Sequence, residues 1–183
     1  MKNIKSFKRI VTSINEQGKS TVVSNDTARG VLDFGNDRPF HTHTYLWKTK
    51  NEKQDFTGFN DPIDSNFKTF PAPGGTTFLI VQFDPQDDEV LKKIDPQDGF
   101  KKMDALENLE TSKRHPYMHT TPTVDYGYVI SGKIKLLLDE GDEEVELTQG
   151  DVLVQRGAKH AWYNPYKEPC VIAFTLVDGQ HKS

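Results

Sequence analysis

The sequence has little that would tie it to a disulfide framework, a membrane or a nucleic acid. Its one cysteine, Cys170, cannot form an intramolecular disulfide. No stretch approaches the roughly 18 apolar residues of a membrane span, and residues 1–19 contain no apolar core of a secretory signal. The formal net charge is −4 and the basic residues are scattered, so the clustered positive charge that attracts phosphate backbones or anionic lipids is missing. We therefore expect a cytoplasmic protein with neither nucleic acid nor membrane as a partner.

The length and the composition indicate one domain with an elaborated terminus. At 183 residues, the chain falls within the range of about 100 to 200 residues that one core normally occupies. Hydrophobic residues make up 34% and charged residues 27%, which predicts a modest core with much loop or exposed arm. We expect an N-terminal β arm and surface loop at 1–73, a β-barrel at 74–178 and a tail at 179–183.

The arm contains two strand signals and a long loop. The run "RIVTSINEQGKSTVVSND" predicts a β-hairpin over residues 8–24, with Gly18 at a turn position that needs positive φ. A second strand is predicted at Phe40–Thr49, "FHTHTYLWKT". Residues 51–75 are dominated by Asn, Asp, Pro and Gly, which is typical of a surface loop.

The rest of the chain is predicted to form short strands with one short helix among them. The run "TTFLIVQF" predicts a strand that is buried on both faces. Within residues 84–112, apolar side chains recur every third residue from Phe100 to Leu109, which predicts one short amphipathic helix with Asp98 as its N-cap. From Tyr117 onward, regularly spaced turn signals predict an antiparallel sandwich or barrel: Ser131–Gly132, Glu140–Gly141, Gln149–Gly150 and Arg156–Gly157.

Two histidine-bearing segments carry the candidate chemistry. In a regular strand, residues of equal parity face one side, so His119, Thr121 and Asp125 would point together. His160 follows a glycine turn and would share its face with Trp162. In a small barrel these inward faces meet, which predicts one site.

These segments resemble the two conserved motifs of cupins. Residues 119–132 resemble H-x-H-x(3,4)-E-x(6)-G, and residues 150–164 resemble G-x(5)-P-x-G-x(2)-H-x(3)-N. More narrowly, "DYGYVISG" and "GDVLVQRGAKHAW" are similar to small single-domain cupins of the RmlC-like superfamily, cupin_2 type. The resemblance implies an all-β fold, a double-stranded β-helix or jelly-roll barrel, here with an N-terminal β arm and one short helix.

The departures from the motifs bear on the metal that many cupins bind. The resemblance implies His119, His160 and Asp125 as ligands of a divalent metal, Fe(II), Mn(II) or Zn(II). Thr121 replaces the second histidine, Asp125 is shorter than the usual glutamate, and Arg156 takes the place of the Pro-x pair. Such a metal would be weakly held or absent, and no nucleotide or organic cofactor is indicated.

Three functions stay open at this stage. The resemblance to fungal cupin-domain oxidoreductases implies a metal-assisted enzyme, oxidoreductase or dioxygenase, acting on a small organic substrate through His119, His160 and Asp125. Thr121, Trp162 and His115 would then line its substrate pocket. A metal-free isomerase or dehydratase would instead use His119 or His160 as general base, with Asp125 setting the tautomer. The third possibility is a non-catalytic small-molecule binding module.

The remaining histidines are less strongly indicated as site residues. His41 and His43 would share a strand face and are equally good ligands by chemistry, but they lie outside the motifs, which favours exposed strand polarity. His115 precedes Pro116 and is expected at the barrel rim as a substitute ligand. His181, in the tail, is given no role.

Three further side chains are expected to be structural. Cys170 sits in an apolar strand without an adjacent base and is expected to be inert. Tyr126 and Tyr128 have the opposite parity to the pocket face, so we expect them to pack on the N-terminal strands or on a second subunit. Arm strands with open edges need covering, and we therefore expect a homodimer.

Overall fold

The computed structural model describes residues 2–63, 67–139 and 143–180. The Glu140–Gly141 turn signal and His181 lie outside the described residues. The strands and helices follow one another along the chain as β1 (Lys8–Ile14), β2 (Ser20–Thr27), β3 (Gly30–Asp33), a 3₁₀ turn (Gly35–Asp37), β4 (His41–Thr49), β5 (Thr76–Phe83), α1 (Asp88–Leu91), α2 (Pro96–Lys102), a 3₁₀ turn (Leu106–Asn108), β6 (Thr123–Ser131), β7 (Lys133–Leu138), β8 (Glu144–Thr148), β9 (Val152–Arg156), β10 (His160–Tyr163) and β11 (Cys170–Asp178).

Two antiparallel sheets enclose the main core. One has six strands in the order β3-β4-β5-β11-β6-β9, and the other has three in the order β10-β7-β8. Their inner side chains pack into one cluster, which joins Leu79, Ile172 and Phe174 of the larger sheet to Leu136 and Trp162 of the smaller. This is the all-β barrel that the sequence predicts, in which alternate residues of each strand face the space between the sheets.

The N-terminal strands are confirmed. β1 and β2 form an antiparallel hairpin, and Gly18 has φ +74° in its turn. β4 joins the larger sheet beside β5, so that His41 stands opposite Phe83 and His43 opposite Val81. The arm therefore contributes part of the sheet that surrounds the cavity. The described part of residues 51–75 contains no strand, as the loop prediction expects.

A helix lies within residues 84–112 as the sequence predicts, but it does not run from Phe100 to Leu109. The chain instead forms α1 and α2, and Leu106 begins a separate 3₁₀ turn. Asp95, not Asp98, caps α2: its carboxylate accepts from the amide of Gln97 at 3.0 Å, and a proline follows at the first helical position. The left-handed φ of +54° at Asp104 prevents the helix from continuing.

Helix α2 lies against the turn that precedes β4. Gly99 permits this approach, because a Cβ added there would lie 2.9 Å from the carbonyl oxygen of Asp37 and 3.0 Å from the Cβ of Arg38. Phe100, on the same helix, is fully buried with Phe34 and Tyr117. The helix thus covers the side chain of Arg38.

The outer face of the larger sheet is apolar and exposed. Tyr126 and Tyr128 remain 54% and 49% exposed beside Phe78, Val152 and Val154. The expectation that N-terminal strands cover these tyrosines is not met within the described residues, and the homodimer stays a prediction.

Two simpler expectations concern Cys170 and the membrane. Cys170 is buried, and this burial raises the pKa of its thiol to about 12, which suppresses the reactive thiolate. Among the described residues, no helix has the length and apolar character to cross a membrane.

Candidate active site

A cavity of about 70 Å³ lies between the two sheets. This is several times the volume of about 10–15 Å³ that one water molecule needs. Five of the six residues predicted for the site line it: His119, Thr121, Asp125, His160 and Trp162. The other lining residues are Arg38, His41, His43, Thr69, Phe70, Leu79, Val81, Phe83, Met103, Phe174 and Leu176.

His119 and His160 form a fixed pair. The amide of each residue donates to the carbonyl of the other, both at 2.9 Å, in an isolated antiparallel bridge. Their ring centroids are 4.3 Å apart. His160 opens β10, while His119 lies in the irregular segment that precedes β6, so this bridge joins the two motif segments.

Backbone carbonyls set the tautomer of both rings. His119 Nδ1 lies 2.9 Å from the carbonyl oxygen of Tyr117, and His160 Nδ1 lies 2.8 Å from that of Ala158. A carbonyl only accepts, so each neutral ring carries its hydrogen on Nδ1 and keeps Nε2 as an acceptor. The idea that Asp125 sets the tautomer is therefore wrong.

The surroundings keep both imidazoles neutral. Burial holds the pKa of His119 well below its ordinary value, and the neighbouring His160 and Arg38 lower it further. Burial likewise lowers the pKa of His160 to about 4. Desolvation penalises the charged form of a buried base, so both rings are unprotonated at neutral pH and are weaker bases than a free imidazole.

Asp125 supplies a carboxyl group to the same cavity. It lies on β6, opposite Leu176 of β11 and Gln155 of β9, and is 6% exposed. Its Oδ1 is buried without a hydrogen-bond partner. Burial raises the pKa of this carboxyl to about 6, so it exchanges a proton close to neutral pH.

His41 and His43 are not exposed strand polarity, which corrects the expectation from the sequence. Both are buried, at 1% and 5% exposure, and both line the cavity. They face inward because β4 pairs with β5 in the register that places them opposite Phe83 and Val81. Neither ring nitrogen of His41 has a hydrogen-bond partner.

Arg38 is the site residue that the sequence did not single out. It follows the Gly35–Asp37 turn with φ −152° and ψ 70°, outside the helical region that the following Pro39 disfavours. Its guanidinium carbon lies 4.8 Å from the ring centroids of both Phe100 and Tyr117. The run "GNDRPF" has the composition of an exposed turn, so the only available signal was its place directly before the histidine-rich strand.

The other predicted pocket residues divide into two groups. Thr121 and Trp162 line the cavity, and Trp162 packs edge-on against His160 and Phe174. His115 is also buried, but it faces a separate surface depression, and its Nδ1 accepts from the amide of Tyr117 at 3.1 Å. The structure therefore places His115 away from the other site residues.

The side chains of the cavity do not complete a metal site. Across the described ranges, no group of three or more histidine, cysteine, aspartate or glutamate side chains is placed to hold an ion. His119 and His160 offer two Nε2 acceptors, but protein metal centres ordinarily use at least three protein ligands. The arrangement of His119, His160 and Asp125 thus does not fit a tightly held metal, and the chemistry proposed for the site does not depend on one.

Two antiparallel sheets with inward-facing imidazoles form an all-β barrel of the kind that cupins have. Residues 105–177 match the family model Cupin_2, "Cupin domain". These residues, less than half of the chain, contain both motif segments and are similar to a cupin domain.

Short segments of the chain are similar to proteins of fungal biosynthesis clusters. "Phomopsin biosynthesis cluster protein C'" of Diaporthe leptostromiformis is 51% identical over 47 residues, 26% of this chain and 24% of that protein. "Oryzines biosynthesis cluster protein J" of Aspergillus oryzae is 46% identical over 52 residues, 28% of each. "Cupin-domain-containing oxidoreductase virC" of Hypocrea virens is 49% identical over 47 residues, 26% of this chain and 24% of that protein. The matches thus span about a quarter of these relatives.

Solved structures with similar folds have little sequence identity to the chain. A putative ethanolamine utilization protein from Salmonella typhimurium has a TM-score of 0.46 and 10% identity, covering 96% of this chain and 99% of that one. A cupin 2 conserved barrel domain protein from Salinispora arenicola has a TM-score of 0.43 and 12% identity, covering 80% and 82%.

Proposed function

We propose that the chain is an enzyme that moves a proton on a small organic substrate held in the cavity, as an isomerase or dehydratase does. The observation that carries this proposal is the pair of neutral imidazoles, His119 and His160, whose Nδ1 hydrogens are taken by backbone carbonyls. Both rings line the cavity. An oriented neutral imidazole is the commonest general base in enzymes.

The imidazole pair accepts the substrate proton. Nε2 of His119 or His160 takes the proton from the substrate, and the Nδ1 contact to a carbonyl stabilises the imidazolium that forms. The two rings are 4.3 Å apart by centroid, so protonation of one opposes protonation of the other. One proton is therefore held by the pair at a time.

Asp125 returns a proton to the substrate. Its raised pKa of about 6 keeps part of the carboxyl protonated near neutral pH, as a general acid requires. Apolar walls formed by Phe83, Trp162 and Phe174 limit water in the cavity, which strengthens these polar interactions.

Deuterium exchange tests proton transfer without a known product. The chain is incubated in D₂O with a panel of small oxo- and hydroxy-acids and their neutral amides, and solvent deuterium at carbon is followed by ¹H NMR. The proposal predicts exchange that His160→Gln and Asp125→Asn abolish. His115→Gln, which changes a buried histidine outside the cavity lining, is the matched control and retains exchange. Equal exchange in all four proteins, or none in wild type with any compound, contradicts the proposal.

Oxidoreductase chemistry is the second candidate. It is supported by the 49% identity of a 47-residue segment to a protein named "Cupin-domain-containing oxidoreductase virC". It would require Fe(II) or Mn(II) to bind at His119 and His160 and at further ligands that the side chains of the cavity do not supply. Metal titration under anaerobic conditions, followed by oxygen uptake with the same panel, distinguishes it from proton transfer.

A binding module is the third candidate. It is supported by the largely apolar lining of the cavity and by the two imidazoles, whose Nδ1 partners are backbone carbonyls and not carboxylates. It predicts ligands that bind without exchange of a carbon-bound hydrogen and without oxygen uptake.

A further inference from the structure

Arg38 carries a buried positive charge, and within the described ranges no acidic side chain forms an ion pair with it. Its side chain is 4% exposed. Among the described residues no salt bridge involves it, since the neighbouring Asp37 pairs with Lys102 instead. In the part of the chain that the structure describes, the one hydrogen bond of its side chain goes from Nη1 to the thioether sulfur of Met103 at 3.4 Å, a weak acceptor. A buried ion without a counter-ion is costly, so the site is arranged for a negative charge that comes from elsewhere.

The polar atoms around Arg38 are also unsatisfied. The Nε of Arg38, both ring nitrogens of His41 and the hydroxyl of Tyr117 are buried without a hydrogen-bond partner. Arg38 and His41 both contact the Tyr117 ring, at 4.8 Å and 5.2 Å. Buried polar groups are nearly always paired in folded proteins, so three neighbouring side chains with unused donors indicate a place for an acceptor.

The size and polarity of the rest of the cavity limit which ligand can supply that acceptor. The opposite wall is apolar, with Val81, Phe83, Trp162 and Phe174, and the space is about 70 Å³. Arg38 is the only lysine or arginine among the described residues that line the cavity. Asp125 of the same lining forms no ion pair with Arg38 and serves as the proton donor in the proposed function. The single guanidinium is therefore left to balance one negative charge, which fits a carboxylate better than a phosphate.

We propose that the cavity takes a small organic carboxylate with an apolar body, and that Arg38 and His41 receive its carboxylate group. A guanidinium presents its N–H groups in a planar fork that matches a carboxylate, and a neutral imidazole adds one N–H. This inference rests on the proposed function, because it assigns the substrate class of the same cavity.

Carboxylate binding would also make the imidazoles of His119 and His160 stronger bases. The charge of Arg38 contributes to the lowered pKa of His119 and of His160, after burial. A carboxylate at Arg38 cancels this charge and makes both rings better proton acceptors once substrate is in place. Arg38 is therefore a binding residue that also tunes the base.

The test compares acids with neutral amides of the same shape. Binding of benzoate and isobutyrate, and of benzamide and isobutyramide, is measured by ligand-observed NMR on the full chain, with inorganic phosphate as a further probe. Wild type is expected to bind the acids about 10- to 100-fold more tightly than the amides, the usual contribution of a hydrogen bond to a charged group. Arg38→Met should remove this preference and Arg38→Lys should retain part of it. Lys101→Met, which removes an exposed charge from α2, is the matched control and keeps the preference.

The outcomes separate this inference from the proposed function. An acid preference that disappears in Arg38→Met supports the inference even if no deuterium exchange is found, in which case only the proposed function fails. Equal binding of acids and amides by wild type, binding of phosphate in preference to the acids, or binding of none of the acids overturns it. A preference that persists in Arg38→Met also overturns it. If that variant does not fold, the result for Arg38→Lys and the comparison of acids with amides on wild type decide.

Discussion

His119 and His160 are joined through their backbones as well as through their rings. Each amide donates to the other carbonyl at 2.9 Å, and the ring centroids are 4.3 Å apart. Because these bonds belong to the backbone, a change of either side chain leaves the bridge in place. The catalytic role of the rings can therefore be separated from their structural surroundings.

Replacing one imidazole should remove activity while leaving the fold intact. We expect His160→Gln to lower kcat by about 10²- to 10⁴-fold, the usual contribution of a general base. Since glutamine retains a side-chain donor toward the Ala158 carbonyl, the melting temperature should change little. Deuterium exchange and thermal unfolding measured on the same preparation check this. A kcat within threefold of wild type would contradict the role of His160 as a general base.

Stability should fall on acidification from neutral pH. The folded-state pKa of His160 is lowered to about 4 from the ordinary 6.5, and burial lowers the pKa of His41, His43 and His119 in the same direction. Below 6.5 the unfolded chain binds these protons first, so the stability present above 6.5 is lost as pH falls toward 4. Each pKa unit corresponds to about 1.4 kcal/mol.

Asp125 acts in the opposite direction. Its pKa is raised to about 6 from 3.8. The stability that the protonated carboxyl contributes is therefore fully present below pH 3.8 and is lost as pH rises through 6. Asp125→Asn should therefore make the fall in stability between pH 6 and pH 4 steeper. Urea unfolding at a series of pH values measures both curves. Stability that is flat or rising on acidification would show that the histidines are not buried as neutral bases.

The contact between α2 and the turn before β4 should not tolerate a methyl group. In Gly99→Ala the added Cβ meets the Asp37 carbonyl at 2.9 Å and the Arg38 Cβ at 3.0 Å. We expect a loss of about 1–3 kcal/mol in the free energy of unfolding, typical of overpacking. Gln97→Ala, an exposed position of the same helix, should stay within about 0.5 kcal/mol of wild type. Equal stability of the two variants would contradict the close approach of the helix.

The affinity for a divalent metal should depend on the side chain at position 121. Thr121 occupies the place where metal-binding cupins have a second histidine, and it lines the cavity with His119 and His160. We expect wild type to hold Fe(II), Mn(II) or Zn(II) substoichiometrically, and Thr121→His to bind more tightly, because it supplies a third imidazole. Elemental analysis of untagged protein after metal loading tests this. Equal, near-stoichiometric metal in wild type and in His160→Ala would contradict it.

The motif residues could be predicted from the sequence, whereas most of the cavity lining could not. His119, Asp125 and His160 stand at fixed spacings within short segments, so the motif spacing was enough to bring them together, although His119 precedes β6 and does not lie on a regular strand. His41 and His43 face inward only because β4 pairs with β5 across the long 51–75 loop. That register is non-local and leaves no local signature.

Two other differences have separate causes, one local and one non-local. Asp95 followed by Pro96 is a stronger helix start than Asp98, and the periodicity of the apolar residues hid the break at Asp104. Arg38 was missed because burial of an unpaired arginine depends on Gly99 and Phe100, which lie 61 and 62 residues further along the chain.

The most direct test of the imidazole pair is ¹⁵N NMR of the histidine rings as a function of pH. For His119 and His160 the account predicts neutral rings at pH 7, with the hydrogen on Nδ1 and an unprotonated Nε2, that titrate only well below pH 6.5. Single His119→Gln and His160→Gln variants assign the two signals. Rings that carry the hydrogen on Nε2, or that are charged at pH 7, would contradict the account.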